Sequence, residues 1–231
     1  MNRGITNVIR FVMDELVPPF IRDSKYFMYP FYYMAYRGRD IEKAMNFKRL
    51  VYSWSEEEYS KFYEGLNTIS RNRKTDLNQS CINRILSSID KSAHNLLDVG
   101  CGKGYFLESA KHLDIELVGC DIVDKLEYSD AKLVKGYIEN LPFEDDSFDV
   151  VTCFHTLEHI INEKQAVKEL LRVAKKQLII VVPCQRYYYY TLDEHINFYA
   201  FKEKLTSLFG LTDYSCNKVF GDWLYIAKIE S

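Results

Sequence analysis

From residue 76 onward, hydrophobic positions switch repeatedly between a helical and a strand period. Ile82, Ile85, Leu86 and Ile89 recur at helical spacing behind an expected cap formed by Asp76 with Gln79. Asn95–Val99 is a short apolar run that ends in glycines, and Phe106 to Leu113 is helical again. Ile115–Cys120, Leu133–Lys135 and Phe148–Phe154 read as strands. Val167, Leu170, Leu171 and Ala174 mark one helix face, and Leu178–Val182 is a buried strand closed by Pro183. Phe201, Leu205, Leu208 and Phe209 mark a last helix. Leu211–Val219 and Trp223–Ile229 flank Phe220-Gly221-Asp222, a hairpin signal. Alternating strands and helices predict an α/β fold of the Rossmann-like, doubly wound kind. Its mostly parallel seven-stranded sheet carries one antiparallel strand in the C-terminal hairpin.

Residues 1–76 follow another pattern. A helix is expected over 3–16, stopping before Pro18-Pro19, and another over 40–51. A third opens with a capping box, Ser55 with Glu58. Tyr26 to Tyr33 holds neither a clean helical nor a clean strand period, so an aromatic loop joining helices is expected there. The sequence therefore divides into an N-terminal helical, aromatic-rich extension over residues 1–76 and an α/β domain over residues 77–231. Charge divides with it: 13 basic against 10 acidic residues before the boundary, 17 against 23 after it.

A chain of 231 residues has room for one ordinary domain and a small appendage. With 47% hydrophobic and 27% charged residues it is neither disordered nor collagen-like. Its net charge of −3 lacks the basic field of a dedicated nucleic-acid binder, so no nucleic-acid partner is expected. The six cysteines form no C-x-x-C pair and most lie in apolar runs, as buried thiols of a reducing compartment do. Asp14, Glu15 and Pro18 interrupt any signal-peptide pattern, and the uncharged run Tyr26 to Tyr36 is too short to span a bilayer. A cytoplasmic location is the expectation.

The chemistry concentrates in Asp98-Val99-Gly100-Cys101-Gly102-Lys103-Gly104, where a strand ends in glycines and a helix begins. Glycines let backbone approach a ligand, and the N–H groups at the helix start favour its anionic or polar parts. The spacing is G-x-G-x-G rather than the dinucleotide G-x-G-x-x-G. An acid two residues before the first glycine would repel a pyrophosphate and suit a ligand carrying an ammonium group.

This segment resembles the first motif of class I S-adenosylmethionine-dependent methyltransferases of the type 11 kind. Val118-Gly119-Cys120-Asp121 resembles that family's second strand, Asn140-Leu141-Pro142-Phe143 with Ser147-Phe148-Asp149-Val150-Val151 its loop and fourth strand, and Leu157-Glu158-His159 the usual continuation. Glu194-His195 with Phe198-Tyr199 is similar to a segment after the fifth strand. The resemblance covers residues 78–231 and implies S-adenosylmethionine as cofactor and S-adenosylhomocysteine as product. It places the cofactor against Asp98, Gly100, Cys101, Gly102, Gly104, Asp121, Ile122 and Phe154. Asp98 balances the ammonium, N–H groups near Gly102 and Gly104 serve the carboxylate, and Asp121 accepts both ribose hydroxyls. Where the family often has an acid beside the adenine this chain has Tyr137, with Ile138 and Glu139 next to it. Arg73, in the run Arg71–Lys74, is either part of a solvated loop or a clamp for the cofactor carboxylate or a phosphorylated acceptor.

Methyl transfer needs alignment and exclusion of water, and a hydroxyl acceptor also needs its proton removed. His155, Glu158 and His159 follow the fourth strand, on the side where strand carboxyl ends bind ligands. The ranking for a base is His155, then His195, then His159. In the similar stretch of ubiquinone-pathway O-methyltransferases, E-x-x-E-H holds a divalent metal. His155, Glu158 and His159 are the matching set here, with His155 in place of the first glutamate. The plainer alternative is that Glu158 and His159 brace the following helix and that His195 pins its loop. Tyr187 to Tyr190 stand where the family often places substrate contacts. The expected reaction is O-methylation of a small hydroxylated acceptor, such as a sugar, polyol or phosphorylated precursor in surface-polysaccharide biosynthesis. N-methylation, nucleic-acid methylation and a non-catalytic cofactor-binding module are the alternatives. The oligomeric state is not legible.

Overall fold

The structure, a computed structural model, describes residues 8, 11–65, 74–123 and 126–229. It divides into two compact units, one of Met1–Arg73 with Gln185–Phe198 and the other of Lys74–Cys184 with Tyr199–Ser231. The first boundary falls a few residues before the expected one, and the stretch after the fifth strand joins the N-terminal unit. No local pattern in that stretch announces this, because the grouping depends on long-range packing.

The larger unit holds a seven-stranded sheet in the order β3-β2-β1-β4-β5-β7-β6. The strands are β1 Asn95–Val99, β2 Glu116–Asp121, β3 Lys132–Lys135, β4 Phe148–Phe154, β5 Ala174–Pro183, β6 Tyr214–Val219 and β7 Asp222–Lys228. β1 to β5 pair in parallel, and β7 runs antiparallel to both β5 and β6. β6 and β7 meet through Phe220 and Gly221, both at positive φ (48° and 92°), as a two-residue hairpin of type I′ requires. Strand order reverses at β1, which lies between β2 and β4, and the crevice at its carboxyl end is where such sheets take ligands.

The period of two in the strands sorts their side chains into two cores. Leu97 and Val99 face a layer with Val167, Leu170, Leu205 and Phe209, and Leu96 faces Ile82, Ile85, Phe106 and Leu107. Every residue of β4 is buried, as expected for a strand covered on both faces. The helix Gln79–Ser88 is capped by Asn78, whose side chain accepts from Cys81 N–H at 2.8 Å. Asn78 thus replaces the expected cap at Asp76, two residues further along the chain.

In the smaller unit the expected aromatic loop is a helix, Lys25–Ala35, with Pro30 inside it. Met28, Tyr32 and Tyr36 recur at i, i+4, i+8 and are buried together with Ile41, Ala44 and Met45. Exposed Tyr26, Tyr29 and Tyr33 hide that stripe in the sequence, since both faces are aromatic. The helix expected over 40–51 is broken at Asn46, whose side chain donates to Glu42 O at 2.7 Å and competes with the backbone ladder. The Ser55–Glu58 capping box forms reciprocally, at 3.2 and 2.8 Å, and opens the helix Glu56–Gly65. Of the helix expected over 3–16, the described part ends in a π-helical turn, Val12–Leu16, ahead of Pro18. Among the described residues no helix is long and apolar enough to cross a membrane.

Candidate active site

At the carboxyl end of β1, Asp98 lies in register between Gly119 of β2 and Thr152 of β4. It is 2% exposed, and Thr152 Oγ1 donates to its carboxylate at 2.7 Å. Burial raises the Asp98 carboxyl to about 7, against the Thr152 hydrogen bond and with the Asp121 charge adding to the rise. The chain then turns. Gly100 has φ +72°, and a Cβ there would fall 2.1 Å from Thr156 Oγ1. Cys101 tucks inward, filling the space that a Cβ on Gly119 would invade at 2.7 Å from its sulfur. Burial pushes the Cys101 thiol far up, so it contributes backbone and volume rather than a nucleophile. Gly104 closes the turn, donating to Cys101 O at 2.9 Å.

Asp121 ends β2. Its carboxylate accepts from Gly102 N–H at 2.8 Å and Val123 N–H at 2.9 Å. Its pKa is raised by burial, opposed by backbone N–H groups of Val123, Gly102 and Ile122. Two acids thus stand at neighbouring strand ends, and among the described residues no Lys or Arg is among the groups shifting either one. Lys103 points elsewhere, pairing with Glu127 at 3.0 Å. Tyr137 bridges to Asn140 and is half-buried, Ile138 is buried, and Glu139 O accepts from Gln165 at 3.1 Å. Phe154 packs edge-on against Phe106 at 4.8 Å, which makes it a wall of the core. Arg73 lies outside the described residues.

Beyond β4, His155 has a left-handed backbone (φ 49°) and its N–H donates to Val181 O at 2.8 Å. Its Nδ1 is 3.2 Å from Glu158 Oε1 and its Nε2 is 3.6 Å from Asp222 Oδ2. Both carboxylates are fully buried. Burial alone pulls the imidazolium down, but Asp222 and Glu158 outweigh it and raise His155 to about 10. His155 is therefore a cation at neutral pH. Asp222 reads in the sequence only as the end of a hairpin turn, and its pairing across the sheet gave no local signal. A divalent metal would need neutral imidazole nitrogens. His155 turns its two ring nitrogens toward the carboxylates of Glu158 and Asp222, at 3.2 and 3.6 Å. His159 ends the short 3-10 turn Leu157–His159, its N–H donating to Thr156 O at 2.9 Å.

The smaller unit contains His195. It is buried, with Nδ1 2.7 Å from Gln185 Oε1 and its ring edge-on to Phe198. Gln185 in turn donates to the Tyr188 hydroxyl at 3.2 Å. Of the four tyrosines, Tyr188 is buried and Tyr187 is exposed, while Tyr190 packs edge-on to Tyr32. Lys48 escaped the sequence reading. Its ammonium lies over the Tyr187 and Phe198 rings and donates to Tyr188 O at 2.6 Å. Burial lowers it to about 7, with Asp23 opposing. A lysine between Phe47 and Arg49 carries no sequence mark of that burial.

A methyltransferase domain family matches residues 97–182. An uncharacterized methyltransferase of Bacillus subtilis is 29% identical over 97 residues, 37% of this chain and 38% of that protein. A ubiquinone biosynthesis O-methyltransferase of Hahella chejuensis is 29% identical over 153 residues, 59% of this chain and 58% of that protein. The chain thus spans less than two thirds of the length of these curated relatives. A solved structure of a SAM-dependent methyltransferase from Aquifex aeolicus shares the fold, with a TM-score of 0.54 at 17% identity over 74% of this chain and 98% of that one. The glycine turn, the two strand-end acids and β4 all fall within the residues 97–182 that match the methyltransferase domain family, and the likeness to the Aquifex structure is one of fold.

Proposed function

We propose that the protein transfers a methyl group from S-adenosylmethionine to a small hydroxylated acceptor. The observation that carries the reading is the pair Asp98 and Asp121 at the ends of β1 and β2, flanking a glycine turn, with no Lys or Arg of the described residues among the groups that shift them. A ligand with an ammonium group and ribose hydroxyls offsets the cost of that buried charge, whereas a pyrophosphate adds to it. When bound, S-adenosylmethionine supplies an electrophilic methyl carbon on its sulfonium. Asp98 would hold the ammonium, Asp121 the ribose hydroxyls, and Tyr137 with Ile138 and Glu139 the adenine. The names of relatives, among them ubiquinone biosynthesis O-methyltransferase and demethylmenaquinone methyltransferase, support a small-molecule acceptor. The surface-polysaccharide setting rests on the sequence resemblance alone.

In this reading His155 is not the neutral base that its position suggests, since it is a cation at neutral pH between two carboxylates. It fixes the end of β4 instead. His195 is the base of this reading, held with Nδ1 2.7 Å from Gln185 Oε1. The test is binding and turnover together. S-adenosylhomocysteine should bind and NAD should not, and labelled methyl from S-adenosylmethionine should appear on a hydroxylated compound in a metabolite panel. Asp121→Ala should weaken S-adenosylhomocysteine binding by roughly 1.5–3 kcal/mol, the worth of hydrogen bonds to a charged group. No binding at millimolar concentration would overturn the cofactor; binding with label appearing only on nitrogen, carbon or nucleic acid would overturn the acceptor.

A further inference from the structure

The smaller unit holds a cavity of about 520 Å³ lined by Tyr36, Arg37, Arg39, Asp40, Lys43, Ala44, Lys61, Phe62 and Gly65. Its composition is lopsided. Among the described residues, four cationic side chains, Arg37, Arg39, Lys43 and Lys61, share it with one acid, Asp40. Tyr36, Ala44 and Phe62 are the buried, largely apolar part of the lining, and the charged residues are its exposed part. Among the described side chains the neighbouring acids are largely committed. Glu42 pairs with Lys25 at 3.2 Å, Glu57 holds Lys61 at 2.6 Å, and the Tyr36 hydroxyl binds Glu194. Glu58, tied to Ser55 in the capping box, feels Lys43 and Lys61 only through space.

The backbone here is shaped to crowd these cations. Between the helices Lys25–Ala35 and Ile41–Met45 the chain turns through Arg37, Gly38 and Asp40, all at positive φ (53°, 76° and 48°). Gly38 N–H returns to Tyr33 O at 3.0 Å and Arg39 N–H to Tyr36 O at 3.1 Å. Non-glycine residues adopt that region only at a cost, and such strain collects at ligand sites. The turn brings two arginines to the cavity mouth. Lys43 is steadied over the Trp54 and Phe62 rings at 5.2 and 5.3 Å, which limits the entropy it loses on binding an anion.

We propose that this cavity binds an organic phosphate. The phosphate lies among Arg37, Arg39 and Lys43, and the rest of the molecule lies on the Tyr36 and Phe62 surfaces. Arginine forks match phosphate oxygens in a bidentate manner, and an aromatic floor favours an organic group over a bare inorganic anion. The inference is independent of methyl transfer, because it concerns a cavity formed by the smaller unit alone.

Phenyl phosphate, inorganic phosphate and benzyl alcohol serve as probes in calorimetric titration of the full chain at fixed ionic strength. Phenyl phosphate should bind at least threefold more tightly than inorganic phosphate, and benzyl alcohol should not bind. Arg39→Glu with Lys43→Glu should weaken phenyl phosphate at least tenfold. A control reversal at the exposed Arg84, on another helix, should change it less than twofold. S-adenosylhomocysteine titrated against the same variants should bind as it does to the parent, which verifies the fold. Equal weakening by the Arg84 control, no effect of the double reversal, or no binding of phenyl phosphate at millimolar concentration would overturn the site. Failure of S-adenosylhomocysteine to bind the parent chain would count against the methyltransferase reading and leave this result to stand by itself.

Discussion

Asp222, the first residue of the last strand, holds its carboxylate 3.6 Å from Nε2 of His155, the residue that follows β4. With Glu158 on the other ring nitrogen, it keeps a histidine charged inside the protein. The sign of the pH effect follows. The folded-state pKa of about 10 lies above the ordinary value of 6.5, so the stabilisation is complete below about 6.5 and disappears as pH rises through about 10. Asp222→Asn should therefore lower stability by roughly 1–3 kcal/mol at pH 7, the cost of leaving a buried charged group short of a partner. In urea melts the gap between parent and variant should shrink above pH 9. A gap of constant size across that range would mean that the pair is not ionic.

Asp98 runs the opposite way. Burial lifts its carboxyl to about 7, so ionising it costs stability progressively between about pH 4 and 7. Asp98→Asn should stabilise the ligand-free protein at pH 8, on the order of 1–3 kcal/mol. It should also weaken S-adenosylmethionine binding. In the parent, affinity for that cationic ligand should rise up to about tenfold from pH 6 to pH 8, as the ionised fraction grows. Calorimetry at both pH values, with the Asn variant insensitive to the change, is the check.

Gly100 has no room for a side chain. Gly100→Ala would put a methyl 2.1 Å from Thr156 Oγ1 and hold alanine at φ +72°. A loss of about 1–3 kcal/mol and failure to bind S-adenosylhomocysteine are expected. Thr156→Ala on the same background removes the Oγ1 and Cγ2 contacts and should restore part of the stability, leaving the backbone strain. Thermal melts of the two single variants and the double variant measure the coupling.

His195 and Gln185 act as a pair in the proposed reaction. His195→Ala should cut kcat by about 10²-fold or more, with S-adenosylhomocysteine binding unchanged. Gln185→Ala, which frees the tautomer, should cost a smaller factor, near tenfold. If His155→Ala is the variant that loses turnover while His195→Ala keeps it, proton removal belongs at the end of β4 after all.

The order of strands and helices, the glycine turn, the acids at the ends of β1 and β2 and the capping box at Ser55 were legible in the sequence. Each depends on residues close together in the chain: a period of two or 3.6, a fixed loop spacing, a side chain reaching its own backbone. The helix through Tyr26 to Tyr33 was hidden, because its buried stripe of Met28, Tyr32 and Tyr36 is flanked by equally aromatic exposed positions. Only packing distinguishes the two faces. The charge state of His155 and the burial of Lys48 belong to the tertiary structure alone. Asp222 lies 67 positions from His155 in the chain, and Tyr188 lies 140 positions from Lys48. Burial and opposing charge set a pKa, and neither is a property of a residue's neighbours in sequence.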